Sequence, residues 1–224
     1  AVLYETNAPW VIEELTLDTP KAGEVHVKIG AAGICRSDLH IKNGESRHLL
    51  PAVLGHEGSG TVLDVGEGVT KVKPGDRVIL SFVPHCGQCH FCLNGRANLC
   101  DKHAATPGTL LDGTTRLHKG DQRIHHMGKV ACFASESIVP ESGCIPVSPD
   151  FPLAQGALIG CSVTTGVGAV MYNAKIEPNS TVAVVGTGGV GLNVIQGAKL
   201  LNASKIIAVD LNEGKLEFAT KFGA

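Results

Sequence analysis

Residues 181–191 read TVAVVGTGGVG, and no other stretch limits the fold so tightly. TVAVV (181–185) is an apolar strand with no polar face, the pattern of a parallel sheet covered by helices. The glycines that follow fit G-x-G-x-x-G, which is weak evidence alone. Here the pattern follows a strand and opens a helical segment, LNVIQGAKLL (192–201). A second apolar strand comes next, KIIAV (205–209), with Asp210 at its end, 19 residues beyond Gly191. Those are the contexts a dinucleotide turn requires. Gly186 allows the tight turn, Gly188 the approach of a pyrophosphate to the helix N-terminus, and Gly191 the packing of helix on strand, with Gly189 and Val190 between them. Asp210 is placed to accept hydrogen bonds from an adenosine ribose and to repel a 2′-phosphate, which favours NAD over NADP. Lys215, on the helix that NEGKLEFATKF (212–222) begins, is a candidate adenosine contact.

The 224 residues suffice for one large domain or two modest ones. Hydrophobic residues at 43% and charged residues at 18% are a globular balance, and a net charge of −2 argues against nucleic acid or an anionic membrane surface as partner. No apolar run is expected to approach the roughly 20 residues needed to cross a bilayer. The opening AVLYETNAPW has no initiator methionine and lacks the basic and apolar regions of an export signal. A reducing, cytoplasmic setting is the expectation, and clustered thiols there read as metal ligands before disulfides.

Ahead of residue 150 the pattern is mainly β. EVHVKI (24–29), GTVLDVG (60–66), DRVIL (76–80) and ESIVP (136–140) read as strands, with turns at Gly-Glu-Gly (66–68) and Pro-Gly (74–75). From 84 to about 130 the strand signal fails. Residues 152–172, PLAQGALIGCSVTTGVGAVMY, read as helix rich in small residues. A doubly wound domain usually needs about six strands, and two are present, so the chain is expected to be a C-terminally truncated part of a longer protein.

Residues 86–100 read CGQCHFCLNGRANLC, a C-x2-C-x2-C-x7-C spacing. Two local disulfides are disfavoured by compartment. A bacterial-type iron–sulfur run has three residues before its fourth cysteine and a proline after it; here seven intervene and Asp101 follows. Tetrahedral zinc on Cys86, Cys89, Cys92 and Cys100 fits best, and four thiolates leave no open position, so that ion is structural. His85 and His90 read as loop residues beside it. A second set, GICRSDLH (33–40), LGHEGSG (54–60) and GCSVTTG (160–166), is scattered, and spacing alone defines no metal site there.

GHEGSG (55–60), VTKVKPGDRV (69–78), the cysteine lobe and VGTGGVG (185–191) occur in that order, and together they resemble the zinc-dependent medium-chain alcohol dehydrogenases. The resemblance runs from Val2 to Ala224 and is nearest the longer, vertebrate-and-plant-like branch, through LLDGTTRLHKGDQRIHH (110–126). It implies an α/β plus mainly-β chain. A GroES-like β-barrel catalytic domain would span 1–162, with the zinc lobe at about 84–102, and the first part of a Rossmann coenzyme domain would span 163–224. Carried over by position, the catalytic zinc ligands are Cys35, His56 and Cys161. Alcohol dehydrogenase is itself the type example of that ligand set, so this match is no independent derivation. Asp38 falls on the carboxylate that holds the ligating imidazole, and Glu57 on an acidic residue beside the zinc.

The resemblance further implies two zinc ions and NAD, with hydride passing between a small alcohol and the nicotinamide, or to an aldehyde in reverse. Ser37 and His40 match the first and last members of a proton relay by way of the coenzyme ribose, and Arg36 the residue that meets the pyrophosphate. Thr165 and Val190 match positions beside the nicotinamide, and Phe82 a wall of the substrate pocket. Long-branch relatives are homodimers. Two alternatives remain. One is oxidation of formaldehyde as a thiol adduct, weakened because the stretch after the lobe, Asp101 to Ala105, lacks the arginine expected there. The other is a non-catalytic zinc- and nucleotide-binding protein, which the complete Cys35, His56, Cys161, Ser37 and His40 set argues against.

Overall fold

The computed structural model describes residues 1–224. By its internal contacts the chain divides into two units, Ala1–Gly160 and Cys161–Ala224, a boundary two residues ahead of the one expected from sequence.

The first unit is built on two five-stranded sheets. Its early elements are β1 (Val2–Leu3), β2 (Thr16–Leu17), β3 (Glu24–Gly33), α1 (Arg36–Lys42) and β4 (Ala52–Val53). Then come β5 (Glu57–Val65), β6 (Arg77–Leu80), α2 (His90–Leu93), α3 (Asp101–Ala105), β7 (Leu117–Lys119) and β8 (Gln122–His126). β9 (Glu136–Pro140), β10 (Cys144–Val147) and α4 (Leu153–Leu158) complete it. One sheet runs β10-β6-β5-β3-β9 and is antiparallel throughout; the other runs β1-β4-β8-β7-β2. Alternation along β3 turns Val25 and Val27 inward, where they meet Val62, Val78, Leu80 and Val139. Burying each such side chain contributes about 1.5–3 kcal/mol.

β3 and β5 extend beyond the segments read from sequence, through Gly33 on one strand and back to Glu57 on the other. Small residues permit this. A Cβ on Gly60 would stand 2.2 Å from the Lys28 carbonyl oxygen, so the two backbones approach where only glycine fits. The expected absence of strands between 84 and 130 is corrected by the hairpin of β7 and β8, which pair in antiparallel register from Leu117↔Ile124 to Lys119↔Gln122. Its strands are short and polar and only Leu117, Ile124 and His126 are buried, too few to make a period-2 signal.

The helical stretch expected at 152–172 forms one helix, Leu153–Ala174, of 22 residues and mean hydropathy 1.4; by length and composition alone it passes for a membrane span, as core helices of globular proteins also do. Its glycines and leucines are accounted for by packing inside the units. Leu153 lies where a Cβ on Gly30 would come, and Leu158 stands against Gly33. Gly160 would collide with the Leu80 carbonyl if it had a Cβ, at 2.1 Å. The helix includes α5 (Thr164–Gly168) and widens to a π-turn at Ile159–Val163, which holds Cys161. Such turns concentrate at functional sites.

The second unit carries β11 (Thr181–Val185), α6 (Gly189–Leu200), β12 (Lys205–Val209) and α7 (Glu213–Thr220). β11 and β12 are parallel, in register from Thr181↔Lys205 to Val185↔Val209. Val184, Ile195 and Ala219 form the packed centre, with Val182, Ile206 and Ala208 around it. The other face departs from the fully buried strands expected from composition: Val185, Ile207 and Val209 are exposed, because both helices contribute to a single core.

Candidate functional site

α1 begins at Cys35 because Asp38, at the third helical position, reaches back to the helix start: Cys35 N–H donates to Asp38 Oδ2 at 2.9 Å. The other carboxylate oxygen accepts from Gly55 N–H at 3.0 Å and lies 3.5 Å from His56 Nδ1. Asp38 thus joins the start of α1 to the turn ahead of β5, with 0% of its surface exposed and His56 at 3%. A sulfur of Cys35 and a ring nitrogen of His56 come within 4.8 Å of one another. A buried carboxylate facing Nδ1 sets the imidazole so that Nε2 can act as donor to a metal.

Phe82 stands edge-on to the His56 ring, centroids 5.5 Å apart. Glu57 is buried, with its carboxylate against Gly33, where a Cβ would be 2.3 Å from Oε2. Arg36 and Ser37 are exposed on the first turn of α1, and Ser37 Oγ is 3.8 Å from Cys35 Sγ. His40 is half-exposed, and its Nδ1 pairs with the carboxylate of Glu45. Cys132, a buried thiol behind Gly55, is pushed up to about 12 by burial and by the Asp38 charge, so it stays protonated and packs as an apolar group. Cys161 is buried at the head of the second unit, and Thr165 is exposed one turn further along.

The four lobe cysteines gather their sulfurs within 4.8 Å of one another, with Cys89 Sγ and Cys92 Sγ 3.4 Å apart. Ligands at about 2.3 Å from a tetrahedral zinc stand about 3.8 Å from each other, so the set fits that ion. Cys89 caps α2 and Cys100 caps α3, and Cys86 N–H points at Cys100 Sγ at 3.3 Å. Burial opposes ionisation of Cys100, but the N–H of Cys86 and other donors outweigh it and bring the thiol down to about 6; burial pushes Cys92 up to about 12. His85 is half-buried, its N–H on Ser142 Oγ, and His90 is exposed; neither belongs to the cluster. No cysteine of the chain is in a disulfide.

At the nucleotide turn Gly186 has φ +89°, open only to glycine at low cost. A Cβ on Gly191 would fall 1.9 Å from the Gly186 carbonyl oxygen. Gly188 caps α6 and faces open space, with Gly189 and Val190 in the first turn. Asp210 Oδ2 accepts from Thr187 N–H at 2.8 Å and from Thr187 Oγ1 at 3.1 Å, while Oδ1 accepts from Asn212 N–H at 3.1 Å. These donors, Thr187 N–H first, hold Asp210 below the usual carboxylate range. Lys215 Nζ lies 3.9 Å from Asp210. Thr187, Glu45 and Cys132 escape sequence reading because each acts through a neighbour that only folding supplies.

A thiol and imidazole set of zinc-ligand type and, in the second unit, a turn of dinucleotide-binding type define a class of protein. A family model described as the alcohol dehydrogenase GroES-like domain matches residues 21–149, more than half of the chain, and one described as zinc-binding dehydrogenase matches 189–224. The chain belongs to the zinc-dependent medium-chain alcohol dehydrogenase family. It is 45% identical over 229 aligned positions to an S-(hydroxymethyl)glutathione dehydrogenase of Saccharomyces cerevisiae, covering 100% of this chain and 59% of that relative's length. The structure of an alcohol dehydrogenase zinc-binding domain protein from Burkholderia ambifaria superposes with a TM-score of 0.94 at 34% identity, covering 100% of this chain and 61% of the other. Benzyl alcohol dehydrogenase from Acinetobacter calcoaceticus does so with a TM-score of 0.93, again at 34% identity and 100% and 61% coverage.

Proposed function

We propose that this chain is the leading part of an NAD-dependent zinc alcohol dehydrogenase acting on small primary or secondary alcohols, or on aldehydes and ketones in reverse. The observation that carries the reading is Asp38, buried and shared among Cys35 N–H, Gly55 N–H and His56 Nδ1. Besides closing the start of α1, that clamp fixes Cys35 and His56 together, as a shared ligand requires. Cys35, His56 and Cys161 would hold one zinc, and Cys86, Cys89, Cys92 and Cys100 a second. When bound, zinc supplies a Lewis acid for the alcohol or carbonyl oxygen and NAD the hydride acceptor.

The chain's own residues prepare that chemistry. Asp38 keeps the proton of His56 on Nδ1 and raises the basicity of Nε2. Ser37 would take up the proton shed by the alcohol, and His40 would release it to solvent, its Nδ1 held by Glu45. Phe82 limits the space beside His56, which favours flat or slender substrates. Arg36 and the N-terminus of α6 would receive phosphates, Thr165 and Val190 would flank the nicotinamide, and Asp210 with Lys215 nearby would take the adenosine ribose. A homodimer in a reducing cytoplasm is part of the same proposal, with no role for nucleic acid or membrane.

A second reading, oxidation of formaldehyde as a glutathione-type adduct, is favoured by the 45% identical relative. The stretch Asp101 to Ala105 offers Lys102 but no arginine for the adduct's carboxylate. The test is NAD reduction by the full-length protein, since the leading part alone is not expected to turn over, with a panel of alcohols and with formaldehyde, each with and without thiol. Turnover of simple alcohols without thiol supports the first reading. Formaldehyde oxidation that requires thiol supports the second, and NAD binding without turnover of any substrate removes both.

A further inference from the structure

Lys129 is a buried cation with no part in the chemistry above. It is 3% exposed, yet lysine is among the residues least often buried. It also holds φ +58°, next to Gly128 at the same angle and close to Ala131 at +49°. A non-glycine residue in that region is strained and persists only where its surroundings enforce it.

The turn has neighbours on two sides. At Gly128 a Cβ would lie 3.0 Å from Phe82 Cβ and 3.2 Å from His56 Cβ, so this backbone forms the floor under the imidazole. From Lys129 the amine reaches the other way, donating to the carbonyl oxygens of Thr106 at 2.6 Å and His103 at 3.3 Å. Those carbonyls end α3, and Cys100 caps the start of α3. The carbonyl of His103 also takes Thr106 N–H at 3.4 Å and that of Thr106 the Thr109 hydroxyl at 3.3 Å, both long, so the ammonium is the charged donor at the negative, C-terminal end of α3. His103 is tied from the far side, its Nδ1 on the Pro84 carbonyl at 3.0 Å.

Charge adds a reason. A divalent ion on four thiolates leaves a net charge of about −2 in the lobe, and burial of a cation beside it is costly unless that charge is answered. Burial draws Lys129 down to about 8, opposed by the Cys100 charge. We propose that Lys129 is a positioning residue for the cysteine lobe: its ammonium ties the end of α3 to the turn under His56 and offsets the charge of the lobe thiolates. The proposal rests on the lobe holding a metal and not on hydride transfer, so it can be decided in a preparation that turns over no substrate.

The test uses the metal-loaded protein. Trace acylation of amines followed by peptide mass spectrometry should find Lys129 protected while the lobe is loaded and labelled once a chelator has stripped it. Equal labelling in the two states overturns the tie. Iodoacetamide should alkylate the lobe cysteines roughly tenfold faster in Lys129→Gln than in the parent, the size of one lost charge-assisted hydrogen bond, whereas Lys129→Arg should stay within about twofold. A folded Lys129→Gln protein whose lobe is alkylated at the parent rate overturns the charge role. Should Lys129→Gln not fold, the labelling of the parent decides by itself.

Discussion

The lobe draws all four thiols from one loop, residues 86–100, while the other centre takes Cys35 from the cap of α1 and His56 from the turn before β5. The difference extends to what surrounds them. Three of the lobe cysteines are only half-buried, and α2 and α3 contain no buried residue. His56, Asp38 and Glu57 are buried against two sheets. A loop without a core depends on its metal for structure, whereas a centre set into a core can keep its shape without one. Locality in sequence marks the part that metal must fold; dispersal marks the part that the fold prepares for metal.

The largest expected effect breaks the comparison most directly. Cys89→Ser should cost soluble yield and one metal per chain, since structural zinc contributes on the order of 10 kcal/mol to folding. Elemental analysis and expression yield read it; a folded protein that lost only turnover would end the structural assignment of the lobe.

Acid sharpens the contrast through the β7–β8 hairpin, which belongs to the core of the first unit. His126 is wholly buried, accepts from Arg116 N–H at 3.2 Å, and is drawn down to about 3 by burial and then by the Arg116 charge. Its folded affinity for a proton is below that of the unfolded chain, so the stability it contributes is complete above the ordinary value near 6.5 and is lost as pH falls from there toward 3. The slope should reach at most about 1.4 kcal/mol per pH unit, and denaturant melts of His126→Gln should lack it.

Asp38→Asn tests whether the His56 centre is preorganised. The substitution should lower metal affinity roughly 10–100-fold, measured by chelator competition, with the melting temperature changed far less than in the lobe variant. Equal collapse of fold in both variants would abolish the distinction. In the second unit, Asp210→Ala should weaken NAD binding about tenfold and NADP binding less, read by coenzyme titration. The smallest effect is His40→Ala, which should slow turnover a few-fold and mainly at low pH, where release of the proton most needs help. A pH profile superimposable on the parent's would remove His40 from the relay.

Legibility followed the same division. The lobe ligands share one loop and a spacing, and the nucleotide glycines share one turn, so their chemistry could be argued from neighbours in the chain. Cys35, His56 and Cys161 had no such spacing and were reached only by resemblance. β7 and β8 stayed hidden because Arg116, His118 and Arg123 interrupt the apolar alternation. Arg116 is nonetheless 1% exposed, since Glu24 meets it through two hydrogen bonds at 2.6 and 2.9 Å from a strand 92 positions earlier. The 22-residue helix was legible from its small and apolar residues and the absence of any charge to interrupt it, whereas its π-turn at Ile159–Val163 was not.

Sequence by itself determined the local matters: which loop concentrates thiols, where a backbone must turn with positive φ, and which strand feeds which helix. Those follow from residue types within a few positions of each other, where sterics and spacing act directly. Tertiary structure decided what depends on partners far along the chain. Asp38 became a clamp only when β5 brought Gly55 and His56 to it, Cys132 became inert only when buried behind Gly55, and Lys129 found its acceptors only on α3. Burial and charge belong to surroundings, and the surroundings exist only once the chain has closed on itself.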